Sequence, residues 1–199
     1  MTPNKSNDPM TPELIRLMKI FGAASLLLVL IMSFFNERRA SNRGDTDEFS
    51  ITSSSRLYFK NVRRAYYDTE IRADAKMELY RLGSRVSDST ALVLNSALII
   101  NKVKDAAYLI LEPQGQLKTM DTLRIRWTEP SGLQRESAFG KGDRYAHFYF
   151  IEEIFPHLEE SVPFEVKLGD AWEPILQDEK ERDALRVTVK DFFRLIGRQ

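Results

Sequence analysis

A long uncharged segment near the amino terminus constrains what this chain can fold into more than any other feature. The sixteen residues Ile20 to Phe35 carry no charge, and only Ser25 and Ser33 among them have polar side chains. An amphipathic surface helix would interrupt such a run with polar residues every three or four positions. Apolar residues from Leu14 onward lengthen the run enough to cross the roughly 30 Å hydrocarbon layer of a bilayer. The sequence therefore predicts a transmembrane helix at 14–35.

The residues after this run favour an uncleaved signal-anchor over a cleaved signal peptide. A signal peptidase site needs small residues in an A-x-A-like pattern, whereas Arg38 and Arg39 follow the run. A lipoprotein signal would need a cysteine, and the chain has none. A buried helix of a soluble protein is a third interpretation, which the length of the run disfavours. Arg16, Lys19, Arg38 and Arg39 flank the apolar core of the helix, and we expect them to lie at the membrane interface.

The orientation of the helix follows less directly from its flanking charges. Three basic residues precede the apolar segment and three follow it: Lys5, Arg16, Lys19, Arg38, Arg39 and Arg43. The positive-inside rule therefore gives a tie. A short amino-terminal tail before one apolar segment and a large domain usually places the domain across the membrane. We expect an extracytoplasmic domain, in the periplasm or at the cell surface, with a cytoplasmic domain as the alternative.

A second group of basic residues lies further along the chain. Arg56, Lys60, Arg63 and Arg64 occur within nine residues of one another. Close to a cytoplasmic leaflet they would attract anionic lipids, at about 1 kcal/mol for each charge. We interpret them instead as the solvated side of a strand.

Charge and cysteine content limit the function classes of the remaining chain. Of 29 basic and 29 acidic residues, residues 1–43 hold six basic and three acidic ones, so residues 44–199 hold 23 and 26. A mildly acidic domain lacks the clustered positive charge that nucleic-acid binding requires. Without cysteine, disulfides and thiolate chemistry are excluded. We expect a lipid bilayer and protein partners, and no nucleic acid.

The chain divides into four parts by composition. Residues 1–13, with three prolines, predict a disordered tail, and 14–35 form the transmembrane helix. Residues 36–55 mix charges with Ser, Gly and Asn, which predicts a flexible linker. Residues 56–199 fit one globular domain.

Period-two alternation dominates this domain and predicts a mostly β fold. Alternating segments separated by turn residues predict hairpins at 91–113 and 123–139 and strands at 146–150, 164–168 and 185–189. Residues 69–82 fit either a helix or a strand, and we expect a strand near Met77–Leu82. Short helices are expected at Ile151–Leu158 and at the carboxyl end. Six or more short strands indicate a β-sandwich or barrel, and an immunoglobulin-like sandwich is the first choice.

The titratable residues form no pattern that predicts catalysis or metal binding. His147 and His157 are ten residues apart, a spacing that sets no common ligand geometry. The adjacent glutamates at 152–153 and 159–160 are typical of solvated loop charges. The acidic run at 178–183 lacks the spacing of a calcium loop and predicts an exposed turn, with weak divalent-ion binding as the alternative.

Neither nucleophile nor phosphate-binding motifs are present. The sequence contains no G-x-S-x-G, and FGKGDRY at 139–145 lacks the spacing of a phosphate-binding loop. We interpret FGKGDRY as a hairpin turn built on Gly140 and Gly142. We therefore expect no catalytic residue, no cofactor site, no metal site and no enzyme activity.

An aromatic stripe offers the most specific binding hypothesis. If residues 145–150 form a strand, Tyr145, His147 and Tyr149 share one face and present flat rings with polar tips, as a glycan-binding or protein-binding patch does. The expected function is a non-catalytic assembly, scaffold or accessory subunit of a membrane complex. A membrane-tethered ligand-binding module that uses this face is the alternative, and an unrecognised hydrolase is a third interpretation.

Overall fold

The computed structural model describes residues 11–34 and 48–198. The chain divides into two compact units, Met1–Ser41 and Asn42–Gln199. The apolar segment forms helix α1, Pro12–Phe34, whose 23 residues are about 35 Å long at 1.5 Å per residue. None of Pro12–Ser33 is buried, and this helix is long and apolar enough to cross a membrane. It begins two residues before the predicted start, because proline is well suited to the first helical position.

Within residues 48–198, eight strands form two antiparallel sheets of four. The first sheet has the order β1-β2-β3-β4, and the second has the order β6-β5-β7-β8. The strands are β1 (Tyr67–Arg72), β2 (Met77–Leu82), β3 (Leu94–Asn101), β4 (Ala106–Pro113), β5 (Thr122–Thr128), β6 (Gln134–Gly140), β7 (Phe164–Leu168) and β8 (Ala171–Ile175). These sheets confirm a β-rich domain.

Three α-helices accompany the sheets in the described part of the domain. They are α2 (Ser53–Tyr58), α3 (Arg144–Glu159) and α4 (Glu179–Leu195). A π-helical turn, Phe59–Arg63, and a 3-10 turn, Arg64–Tyr66, continue α2 without a break. A further 3-10 turn, Gly115–Thr119, connects β4 to β5.

Helices α3 and α4 pack on the first sheet, and α3 also joins it to the second. α4 packs on β3 and β4, whereas α3 packs on β4 and on β6. The rings of Phe148 in α3 and Phe192 in α4 meet at 6.1 Å, and Phe139 of β6 lies 5.1 Å from Phe150 of α3. An immunoglobulin-like sandwich is not confirmed, because such a fold interleaves strands between two packed sheets, whereas β1 to β4 here follow one another in one sheet.

The domain begins before residue 56, within the predicted linker. Phe49 and Ile51 are buried in the core. The carbonyl oxygen of Phe49 accepts the N–H of Ala107 at 2.9 Å, and the N–H of Ile51 donates to the carbonyl oxygen of Asp105 at 2.8 Å. Residues 1–10 of the predicted tail and residues 36–47 of the predicted linker lie outside the described residues.

Several strand predictions are confirmed. β2 occupies Met77–Leu82 as expected, and β7 occupies Phe164–Leu168. The hairpin predicted at 123–139 is β5 and β6, and the hairpin predicted at 91–113 is β3 and β4. In each case alternation along the strand and turn residues at its end are local signals, which need no knowledge of distant neighbours.

Two other strand predictions are wrong, because both segments are helical. Residues 146–150 lie in α3, where the buried residues His147, Ile151, Ile154 and Leu158 recur with helical spacing, but Phe148 and Phe150 also fit the period of two of a strand. Residues 185–189 lie in α4, where the buried residues recur with helical spacing: Ala184, Leu185, Thr188, Val189, Phe192 and Leu195. The side chain of Asp178 caps this helix by accepting the N–H of Lys180.

The segment FGKGDRY is a strand-to-helix connection and not the predicted hairpin turn. β6 ends at Gly140, and α3 begins four residues later. The carboxylate of Asp143 accepts the N–H groups of Tyr145 at 3.0 Å and Ala146 at 3.2 Å, which caps the helix.

Candidate binding surface

A cluster of aromatic rings connects the start of the domain to β4 and α3. The buried ring of Phe49 is its centre. Ring centroids lie 5.5 Å away for Tyr108, 5.1 Å for Tyr145 and 5.3 Å for Phe148, in tilted and edge-on geometries. Such geometries are the favoured ones for aromatic pairs, so the cluster holds the amino-terminal half of α3 in a defined position.

Arg144 lies among these rings. Its guanidinium carbon is 5.3 Å from the centroid of Phe49, 5.2 Å from that of Tyr108 and 5.0 Å from that of Tyr145. Its Nη1 also donates to the Tyr108 hydroxyl at 3.3 Å. These distances fall within the range of cation–π attraction, so Arg144 adds to the rigidity of the cluster.

Tyr149 is the part of this cluster that faces solvent. Its side chain is 56% exposed, although its ring stacks on Tyr145 at 6.3 Å and meets the edge of Phe148 at 5.4 Å. Next to it, Arg198 lies over the Phe148 ring at 4.7 Å and pairs with Glu48 and Glu152. We call the group Tyr145, Tyr149, Arg198, Glu48 and Glu152 the tyrosine surface.

The predicted face of Tyr145, His147 and Tyr149 is divided by the helix. Tyr145 and Tyr149, four residues apart, lie on one side of α3, whereas His147 is buried on another. The Nδ1 of His147 accepts the N–H of Leu111 at 3.0 Å, and burial lowers the pKa of this imidazole. Two of the three residues therefore meet at the surface, and His147 positions the helix.

The four residues expected at a membrane interface are only partly described. Arg16 and Lys19 lie in α1 and are exposed. Arg38 and Arg39 lie outside the described residues. Their placement at a membrane surface stays a prediction.

The acid and base candidates from the sequence take part in contacts between elements. Glu152 pairs with Arg198, and Glu153 accepts the hydroxyl of Ser137 at 2.6 Å. The ring of His157 packs on Trp127 at 5.1 Å. Among residues 11–34 and 48–198, no three His, Cys, Asp or Glu side chains are grouped so that they could hold a metal ion.

Glu181 is a structural residue that the sequence analysis missed, because it lies in the run predicted to be an exposed turn. Its carboxylate is buried and accepts the N–H of Leu94 at 2.8 Å and the N–H of Leu176 at 2.9 Å. Burial raises the pKa of this carboxyl, and the two hydrogen bonds oppose that effect. Glu181 thereby ties α4 to the start of β3 and to the end of β8.

Comparison with known proteins yields no matching family model, no matching curated protein and no matching solved structure. The chemistry of the tyrosine surface is therefore the guide to its use. Tyrosine and arginine are enriched among the residues that contribute most to protein–protein binding. Tyrosine also offers a large contact area at a low cost in conformational entropy. This surface can bind a partner through an exposed ring with charged groups beside it.

Proposed function

We propose that this chain is a single-pass membrane protein whose β-rich domain acts as a non-catalytic assembly, scaffold or accessory subunit of a membrane complex. The tyrosine surface would be its contact with a protein partner. The observation that carries the proposal is Tyr149, which is 56% exposed and yet packed against two rings.

Helix α1 supports the membrane part of the proposal. It is long and apolar enough to cross a bilayer, and none of it is buried. A domain tethered to the membrane has a raised effective concentration near membrane partners, so a modest contact surface is enough for association. Such tethering would favour the association of an accessory subunit with its membrane complex.

Preorganisation supports a protein partner. Tyr149 is held by Tyr145 and Phe148, so binding would cost little additional side-chain entropy. Arg198, Glu48 and Glu152 provide charges of both signs beside the ring, as the polar rim of an interface does. The same ring could stack on a sugar, so glycan binding is the second candidate.

An unrecognised hydrolase is supported less well. His147 would be its base, but its Nδ1 is occupied by the Leu111 N–H and burial lowers its pKa. Glu152, the other candidate, pairs with Arg198. Both side chains have roles in packing that account for their positions.

Photo-crosslinking in native membranes tests the partner hypothesis. A crosslinking amino acid such as p-benzoylphenylalanine would replace Tyr149 in one full-length variant and Leu133 in another, because Leu133 is 50% exposed on the β5–β6 turn. We expect a discrete protein adduct from position 149 and none from position 133. Equal adducts from both positions, or none from either, would contradict the proposal. A Tyr149→Ala variant that keeps its fold but loses binding to a glycan array would favour the second candidate.

Orientation is tested separately. We propose that the domain is extracytoplasmic, on the side of the membrane usual for a large domain that follows one apolar helix. Protease added to intact cells, or to spheroplasts with a sealed inner membrane, should then remove a carboxyl-terminal tag. Protection of the tag until the membrane is lysed would place the domain in the cytoplasm.

A further inference from the structure

The helical segment Ser53–Tyr66 has one buried side and one unusually apolar exposed side. Phe59 faces the core, where its ring lies 5.0 Å from Tyr80 and 5.5 Å from Tyr67. Within residues 48–198, eight large apolar or aromatic side chains are exposed, and four of them belong to this segment. The four are Leu57 (61%), Tyr58 (39%), Val62 (48%) and Tyr66 (60%). We call these four residues the entry face.

The entry-face residues recur at short intervals among the exposed positions of the segment. Tyr58, Val62 and Tyr66 are four residues apart in sequence, with Leu57 next to Tyr58. The basic cluster around them, interpreted from the sequence as the side of a strand, is instead helical. An exposed apolar stripe on a helix marks a surface that contacts something other than water.

The charges around the entry face are positive. Between residues 53 and 66 there are four basic residues and no acidic one. Three of them form ion pairs with carboxylates on the side of the segment that faces the core: Arg56, Lys60 and Arg63. The fourth, Arg64, is exposed. From α4, the exposed Arg194 donates to the Tyr58 hydroxyl at 2.9 Å and lies 5.1 Å from its ring centroid. Two exposed guanidinium groups, those of Arg64 and Arg194, therefore flank an apolar stripe.

We propose that the entry face docks onto the anionic surface of the same bilayer that holds α1. This inference rests on the membrane-spanning α1 of the proposed function, and not on the side of the membrane that the domain faces. Apolar side chains with tyrosines and basic residues at their margin are the composition of surfaces that lie in the membrane interface. Arginine suits lipid phosphate, because its planar guanidinium offers several donors to one phosphate group.

Chain connectivity favours a bilayer over a soluble partner. Helix α1 ends at Phe34 and α2 begins at Ser53, so residues 35–52 separate them. Even when fully extended, eighteen residues reach no further than about 60 Å. A surface held within that distance of the bilayer experiences a high effective concentration of lipid, so even a small apolar stripe is driven onto it.

The absence of cysteine in the sequence permits a direct test. Three single variants of the full-length protein, Val62→Cys, Leu133→Cys and Leu27→Cys, would carry an environment-sensitive fluorophore and be reconstituted into vesicles. Val62 (48% exposed) and Leu133 (50% exposed) are matched in exposure, and Leu27 lies in the middle of α1. The vesicles would contain phosphatidylcholine alone or with phosphatidylglycerol, with nitroxide-labelled lipids as quenchers.

With phosphatidylglycerol present, we expect a blue shift at position 62 and several-fold stronger quenching than at position 133. The quenching at position 62 should weaken at high salt. If position 27 is quenched and position 62 behaves like position 133, the docking proposal is overturned, whereas the insertion of α1 in the membrane is supported. If position 27 is not quenched, the anchor and the docking both fail. A blue shift at position 62 without quenching by lipid would show that a second copy covers the face, which also overturns the proposal.

Charge variants give a second test that leaves the four side chains of the entry face unsubstituted. Phosphatidylglycerol is expected to increase the quenching of the probe at Val62→Cys. The double variant Arg64→Gln and Arg194→Gln should lose most of that increase. Arg135→Gln is the control, because Arg135 is exposed on β6, away from the segment. Equal quenching in the double variant and the control would rule out recognition of anionic lipid.

Discussion

The imidazole of His147 accepts the backbone N–H of Leu111 at 3.0 Å and thereby fastens α3 to the outer edge of the first sheet. β4 is the last strand of that sheet, so its outer backbone groups have no neighbouring strand to pair with them there. Phe49 binds one of these groups, that of Ala107, and His147 binds another, while Ile51 binds the carbonyl oxygen of Asp105 just before the strand. Unpaired strand edges promote aggregation, so these contacts protect the edge as well as positioning the helix.

Replacing this acceptor should destabilise the domain. His147→Phe keeps an aromatic ring but leaves the buried N–H of Leu111 without a partner, which costs about 1–3 kcal/mol of the free energy of unfolding. Denaturant titration of the full-length protein at neutral pH would measure the loss. His157→Phe is the control, because the ring of His157 packs on Trp127 and its Nδ1 has no hydrogen-bond partner among the described residues. Equal effects of the two substitutions would contradict this role of His147.

The same histidine should make stability depend on pH. Burial lowers its folded-state pKa below the unfolded value of about 6.5, so the unfolded state binds more protons as the pH falls through that value. The contribution of neutral His147 is fully present above pH 6.5 and is lost on acidification. The difference in unfolding free energy between the wild type and His147→Phe should therefore shrink below about pH 6.5. A difference that is constant from pH 7.5 to 5 would refute this linkage.

Glu181→Gln should destabilise the junction of α4, β3 and β8. The carboxylate accepts two backbone N–H groups, and a glutamine would turn its own NH₂ group toward one of them. We expect a loss of about 1–3 kcal/mol, because one buried donor loses its acceptor. Glu179→Gln, an exposed change in the first turn of the same helix, serves as the control and should stay within about 0.5 kcal/mol of the wild type.

Tyr67→Phe should be costly, whereas Tyr66→Phe should not. The hydroxyl of Tyr67 donates to Oδ2 of the buried Asp191 at 2.7 Å, and Arg63 donates to both oxygens of the same carboxylate. Hydrogen bonds to charged groups contribute about 1.5–3 kcal/mol, so Tyr67→Phe should lower the unfolding free energy by about that amount. Tyr66 is 60% exposed, so its hydroxyl contributes little. Thermal unfolding of the two variants, measured side by side, would reveal the contrast.

The boundary of the domain can be tested with two apolar residues. Phe49 lies in the segment that the sequence assigns to the linker, yet it is buried, whereas Leu57 lies inside the predicted domain and is 61% exposed. Phe49→Ala should cost about 3–5 kcal/mol through the cavity it leaves. Leu57→Ala should change stability by no more than about 0.5 kcal/mol. If Leu57→Ala destabilised the domain more than Phe49→Ala did, the linker would end at residue 55, as the sequence predicts.

Local patterns account for what could be predicted of the fold. β2, β7 and the two hairpins were recognisable because a half-exposed strand alternates its side chains, and turn residues mark its end. The bounds of β2 match the expectation, and burial in β5 alternates along its length, with Leu123, Ile125 and Trp127 inside. These signals depend on residues close in sequence.

The dependence of these signals on residues close in sequence also explains the wrong strand predictions. In α3 the buried residues His147, Ile151, Ile154 and Leu158 recur with helical spacing, but Phe148 with Phe150 also resembled the alternation of a strand. In α4 the helical spacing was present, and the capping Asp178 preceded it, but Leu185, Val187 and Val189 also fit a period of two. Short apolar runs fit both periods, and only their neighbours in space decide between them.

The sequence by itself determined the apolar helix α1, the β-rich character of the domain and several strand pairs, because each follows from a run or a period of residues along the chain. Only the tertiary structure decided which side chains are exposed. It buried His147, which lies between Tyr145 and Tyr149 in the sequence. It also placed Phe49, assigned to the linker by the sequence, in the core and left Val62 in solvent. Burial depends on contacts between residues far apart in the chain, and no local pattern contains them.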